Sequence, residues 1–191
     1  DLKRLFREAH KRNMKVCLDL VAGHTSIDHP WFKASQSATR NELSDRYIWT
    51  NDSTIKPERH ISGKFGRNGT YRKNFFDCQP ALNYGFALPD TAYSWQLPTN
   101  HPDVLAMRQE MKQVVRFWLD MGADGFRADM AGALARTANV QGNDQFFNTH
   151  EDATKKFWQE IYAMLQKDYP NAFMISEWSY PVDALDNCFH A

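Results

Sequence analysis

The sequence predicts an α/β fold: about three parallel strands with helices between them, interrupted after the first strand by a long irregular subdomain. Three observations carry this. Apolar residues recur at helical spacing in three separate stretches, and each stretch runs into a short apolar segment that carries or ends in a carboxylate. Helix and strand therefore alternate, which implies right-handed parallel crossovers. Residues 22 to 100 break the pattern with Gly, Pro, Asn, Ser and aromatics in no sustained period, a length that a plain loop in a compact domain does not reach. Three strands cannot close a barrel, and a complete (β/α)8 barrel takes ~250 residues. A chain of 191 residues with this pattern is either a small open sheet or a segment of a (β/α)8 barrel.

Residues 1 to 12 place Leu2, Leu5, Phe6 and Ala9 at helical spacing, and Asn13 can close that helix in a left-handed conformation. Met14 to Val21 is a near-continuous apolar run, as expected of a strand buried on both faces of a parallel sheet. Asp19 within it is costly unless paired or working. Inside the irregular stretch, His60 to Phe76 is Gly- and Arg-rich, and Gln79 to Phe86 reads as a return leg. Asn51-Asp52-Ser53 and Asn68-Gly69-Thr70 match glycosylation sequons, a pattern short enough to arise by chance. Regularity resumes at Pro102 and Asp103, both suited to a helix start. Val104, Met107, Met111, Val114, Val115 and Trp118 form its apolar stripe, and Gly122 ends it. A strand follows to Met130, then a polar loop. A helix from Asp152 to Asp168 turns Phe157, Ile161, Met164 and Leu165 inward, and Ala172 to Ser176 is the last strand, with Glu177-Trp178 at its C-terminal end. The expected parts are 1–24 (barrel helix and strand), 25–100 (inserted subdomain) and 101–191 (barrel helix-strand-helix-strand).

Composition narrows the function classes. Lys plus Arg equal Asp plus Glu at 23 each, so bulk charge offers no footprint for nucleic acid or an anionic membrane surface. Cys17, Cys78 and Cys188 are odd in number and far apart, which suits neither a disulfide framework nor a zinc site. No signal peptide opens the chain and no apolar run reaches membrane-span length. Compartment and oligomeric state stay open.

Gly122 to Met130 organises the chemistry. Arg127 and Asp129 stand at i and i+2, so both side chains leave one face of a strand. A guanidinium beside a carboxylate favours its ionised form, which suits a nucleophile; a structural ion pair fits the spacing equally well. In a parallel barrel all strand C-termini lie on one rim, where active sites are built, and there Asp19, His24, Arg127, Asp129 and Glu177 would converge. Two chemistries fit: a divalent ion on hard oxygen ligands, as in metal-dependent barrel lyases, or glycosidic cleavage with retention by two carboxylates ~5 to 5.5 Å apart. Arg127 argues against the metal, because a cation beside the central carboxylate competes with a divalent ion.

Asp19-Leu20-Val21-Ala22-Gly23-His24, Gly125-Phe126-Arg127-Ala128-Asp129 and Ser176-Glu177-Trp178 resemble, in order, three signature regions of the α-amylase family, glycoside hydrolase family 13. Gln79-Pro80-Ala81-Leu82-Asn83 is similar to a fourth, near the end of the protruding B domain, in its oligo-1,6-glucosidase and neopullulanase-like form. The resemblance implies a segment of a TIM barrel with a B-type subdomain, and a retaining α-glycosidase acting on α-linked glucosides or α-glucans by hydrolysis, with transglycosylation as a variant outcome. Asp129 would be the nucleophile and Glu177 the acid/base. Arg127 would hold Asp129, His24 would hydrogen-bond the sugar, and Asp19 would brace the arginine; Trp178 would stack on a sugar or serve the core. The family commonly has an Asn before that histidine, a calcium ligand in many members. Gly23 offers only backbone, which puts calcium there in question, and no cofactor is required. The family's third carboxylate lies on a later strand than this chain reaches, so the chain is expected to be a catalytic-domain fragment, inactive alone. The rival readings are a non-catalytic carbohydrate- or protein-binding relative and a metal-dependent barrel lyase.

Overall fold

In chain order the elements are α1 (Leu2–His10), β1 (Cys17–Val21), α2 (Pro30–Ser35), β2 (His60–Ile61), β3 (Tyr71–Arg72), β4 (Phe86–Leu88), α3 (Pro102–Met121), β5 (Gly125–Asp129), β6 (Arg136–Thr137), α4 (Glu151–Asp168) and β7 (Phe173–Ser176). They come from a computed structural model, which describes residues 1–138, 148–178 and 187–190. The chain forms two units: residues 1–22, 109–132 and 154–191 make the first, residues 23–108 and 133–153 the second.

The first unit is built on a parallel sheet of order β1-β5-β7. Asp1 caps α1, and Asn13 closes it at φ +56° while Met14 N–H reaches back to Ala9 O at 3.0 Å. Leu2, Phe6 and Ala9 turn toward the core; Leu5, one residue or ~100° around the helix from Phe6, is 53% exposed rather than inward. Gly122 ends α3 at φ +114°, a conformation that suits glycine, and a Cβ there would press on the Phe6 ring at 3.3 Å. Leu20, Phe126, Ala128 and Met174 face the helices and are buried. Met111, Val115, Phe157, Trp158, Ile161 and Leu165 of the helices are buried as well. Val114 and Trp118 of the expected α3 stripe are half-buried.

The apolar run of β1 predicts burial on both faces, and the structure buries one. Cys17, Asp19 and Val21 are exposed on the other, because helices cover only one side of this three-stranded sheet. Asp124 ties the opposite strand ends together. Its carboxylate accepts from Val16 N–H at 2.7 Å, bonds His10 Nε2 at 2.8 Å and faces Lys15 Nζ at 3.1 Å. Burial pushes its pKa up, but those partners outweigh burial and leave it below the usual carboxylate range.

The second unit explains why a stretch without periodicity is nonetheless ordered. Phe32 of α2 stacks on Trp49 at 5.6 Å and meets Tyr47 and Tyr71 edge-on at 5.1 and 4.9 Å. The Arg67 guanidinium covers Trp49 at 4.9 Å and donates to the carbonyls of Ser35 and Ser44. An aromatic cluster, with two-residue strands β2 and β3 paired antiparallel, replaces extended ladders here. Of the two sequons, Thr70 is fully buried and bonds Ile55 O at 2.9 Å. The stretch read as a polar loop contains β6, parallel to β4; residues 139–147 of it lie outside the described residues.

Candidate active site

Strand register builds the site of the first unit. Asp19 lies opposite Arg127 and Val21 opposite Asp129 across β1 and β5. Ser176 lies opposite Ala128 across β5 and β7, and Glu177 N–H continues that ladder to Ala128 O at 3.0 Å. The three strands thus deliver Asp19, Asp129 and Glu177 around one guanidinium. Arg127 Nη1 donates to Asp19 Oδ1 at 2.6 Å and to Asp129 Oδ1 at 3.3 Å, and Nη2 faces Glu177 Oε1 at 2.8 Å. After Asp129 the chain turns out of β5 through Met130 at φ +45°, uncommon for a residue with a side chain. That turn aims Met130 N–H at Glu177 Oε2, 3.1 Å away.

The electrostatics differ from the simple picture of one arginine ionising one aspartate. Burial raises the Asp129 pKa first, a hydrogen bond with Glu177 and the charges of Glu177 and Asp19 raise it further, and Arg127 opposes them without winning. The reason is geometric: Arg127 is shared among three carboxylates, and its shortest contacts go to Asp19 and Glu177. Glu177 moves the other way, lowered first by the Met130 N–H, then by its bond with Asp129, with Arg127 adding to both. The two carboxyls therefore form one interacting site, in which Asp129 is pushed toward its neutral form and Glu177 toward its ionised form. The guanidinium also stands where a divalent ion bridging the three carboxylates would sit. Among the described residues, no group of three or more His, Cys, Asp or Glu side chains is placed to hold a metal ion.

Trp178 is half-buried, and its indole lies on the Gly132 backbone, so closely that a Cβ at Gly132 would meet Nε1 at 2.7 Å. The turn beneath is anchored by Trp158 Nε1 donating to Ala131 O at 2.8 Å. These contacts give Trp178 a packing role at this turn.

His24 belongs to the second unit. It bridges antiparallel to Ala81, and Leu82 N–H donates to Gly23 O at 3.0 Å, so the Gln79 to Asn83 motif is the strand-like partner of the histidine segment. Its Nδ1 lies 3.1 Å from Asn74 Nδ2, and burial lowers its pKa, which favours the neutral ring. Arg136 Nη2 donates to Asn74 Oδ1 at 3.3 Å and to Ala133 O at 3.0 Å. A separate cavity of about 360 Å³ in this unit is lined by His60, Arg72, Phe86, Tyr93 and Trp95 among others, and none of the rim carboxylates borders it. Sequence reasoning missed Met130, Gly132, Asn74 and Arg136. Only the Gly23 departure hinted at one of them, since a lost side chain leaves space for another.

Comparison with known proteins agrees with the fold. Residues 1–189 match the alpha amylase catalytic domain. Alpha-amylase 3 of Dictyoglomus thermophilum is 32% identical over 180 residues, which are 93% of this chain and 29% of that protein. An oligo-1,6-glucosidase of Parageobacillus thermoglucosidasius is 32% identical over 149 residues, 73% of this chain and 23% of its own length. Among solved structures, trehalose-6-phosphate hydrolase of Bacillus licheniformis superposes with a TM-score of 0.72 at 25% identity, over 96% of this chain and 32% of that one. An alpha-glucosyl transfer enzyme gives 0.73 at 25% identity, over 92% and 35%. The chain spans under a third of the length of these curated relatives.

Proposed function

The chain belongs to the alpha-amylase catalytic-domain family, and on that premise we propose that it supplies the nucleophile and the acid/base of a retaining α-glycosidase. Substrates are α-linked glucosides or α-glucans, cleaved by double displacement. The observation that carries the reading is the pair of carboxylates, Asp129 and Glu177, set on one Arg127 guanidinium at 3.3 and 2.8 Å. Double displacement needs one ionised and one protonated carboxyl. Two carboxylates held by one guanidinium suit the close spacing of retaining enzymes better than the ~6.5 to 9.5 Å of inverting ones.

With Asp129 ionised and Glu177 protonated, Asp129 attacks the anomeric carbon while Glu177 gives its proton to the leaving oxygen; one C–O bond forms as the other breaks. Glu177, now a carboxylate, takes a proton from water, whose oxygen displaces Asp129 and regenerates the pair. Arg127 balances the carboxylates through both steps, Asp19 orients Arg127, and His24 donates to a sugar hydroxyl. Hydrolysis or transfer follows according to whether water or a second sugar attacks.

In the polypeptide that carries the complete barrel, a 2-deoxy-2-fluoroglucoside should add one sugar mass to Asp129 by peptide mass spectrometry, and Asp129→Asn should lose several orders of magnitude in turnover, as expected for a nucleophile (about 10³ or more). Near-normal activity in that variant, or no covalent mass in the wild type, refutes the assignment and favours a binding module.

A further inference from the structure

The resemblance of residues 19–24 to the family's signature leads one to expect an asparagine at Gly23, and the structure shows what fills the space. A Cβ on Gly23 would lie 2.8 Å from Asn74 Nδ2 and 3.8 Å from Ala133 O. The carboxamide thus comes from Asn74 instead, and Arg136 holds it. A guanidinium only donates hydrogen bonds, so the Asn74 atom facing Arg136 is the carbonyl oxygen. The amide NH2 then faces His24 Nδ1 and must donate to it, which leaves the imidazole proton on Nε2. Asn74 and Arg136 are each 1% exposed, so water does not compete for either bond.

We infer that Arg136 is a built-in cation: it occupies the oxygens that a calcium ion would use beside Gly23 and, through Asn74, fixes His24 as the Nε2–H tautomer. Ala133 O and Asn74 Oδ1 are hard neutral oxygens of the kind calcium takes. Both are committed to Arg136 Nη2 at 3.0 and 3.3 Å. A second cation at those oxygens would stand within a few ångströms of the guanidinium, in a buried setting where like charges repel strongly. Calcium does not fit there. The guanidinium binds the amide oxygen, which sets the amide, and the amide sets the ring. Asn74 and Arg136 are positioning residues, acting on substrate only through His24; that last link rests on the α-glycosidase reading, while the cation site and the tautomer do not.

The test uses the polypeptide that carries the complete barrel. Its melting temperature should move by less than about 1 °C on adding EDTA or millimolar calcium, since a bound ion would stabilise by mass action. Long-range ¹H–¹⁵N correlation of the His24 ring should show the proton on Nε2. Arg136→Met should raise KM about tenfold with kcat little changed, as one hydrogen bond to bound sugar loosens, and Arg136→Lys should restore most of it. Calcium-dependent stabilisation of the wild type that Asn74→Leu abolishes, or an Nδ1–H tautomer in the wild type, overturns the inference. Both wild-type readouts hold whether or not the protein proves to cleave α-glucosides.

Discussion

Replacing His60 with phenylalanine should flatten the acid side of the stability profile. His60 bonds the Glu58 carbonyl through Nδ1 at 3.2 Å and meets Trp95 edge-on at 5.6 Å, and its Nε2 has no partner among the described residues. Burial lowers its pKa from 6.5 to about 4, and the charges of Arg72 and Arg136 push the same way while the Glu58 carbonyl opposes them. For a base whose folded pKa lies below its unfolded one, the unfolded chain binds the extra proton between the two values. Stability is therefore complete above pH 6.5, falls as pH drops toward 4, and loses nothing more from this group below that. At ~1.4 kcal/mol per pH unit the gap amounts to about 3 kcal/mol. His60→Phe keeps a ring against Trp95 and removes the titration, at the loss of one hydrogen bond, about 1 kcal/mol at pH 7. Urea denaturation followed by tryptophan fluorescence at pH 7, 6, 5 and 4.5 should show the wild type losing stability faster than the variant. Parallel profiles, or a His60 ring titrating near 6.5 by NMR, would show that the site is open to water and refute the reasoning.

Two further changes bear on the strand that carries Asp129. Arg127→Met removes the cation shared by Asp19, Asp129 and Glu177; since that charge lowers Asp129 and Glu177, its loss should move the acid limb of the kcat/KM profile to higher pH, and an unmoved limb would mean the arginine is only a scaffold. Gly125→Ala would place a Cβ 2.2 Å from Phe173 O of the neighbouring strand, a backbone atom that cannot swing aside. Separation of β5 from β7 should cost about 3 kcal/mol, at the upper end of overpacking, and a wild-type melting temperature would show that the sheet yields there more easily than its contacts imply.

Legibility varied along the chain for physical reasons. The α4 face of Phe157, Ile161, Met164 and Leu165 is buried as its spacing predicts, because 3.6-residue periodicity is local and needs no partner to be recognised. Asn13 in its left-handed conformation and the Gly122 stop were readable for the same reason. The face of β1 was not, since an apolar run reports the chemistry of a strand and not how many layers cover it. The aromatic core of the second unit was hidden as well: Phe32, Trp49 and Tyr71 are far apart in sequence, and no period marks residues that meet only after folding.

The same division runs through the site. Sequence alone determined that Arg127 and Asp129 share a face, since alternation along a strand is a property of the backbone, and that carboxylates stand at or near the C-terminal ends of three parallel strands. The partners of the cation were settled only in three dimensions. Parallel register placed Asp19 across from Arg127 and let Glu177 reach Met130 N–H, so that one guanidinium serves three carboxylates and Asp129, the more buried of the pair, has its pKa raised by burial. Folding also brought Asn74 and Arg136 to Gly23 from 51 and 113 residues away in sequence (74 − 23 and 136 − 23). A missing side chain announces a space, and only packing decides which distant group fills it.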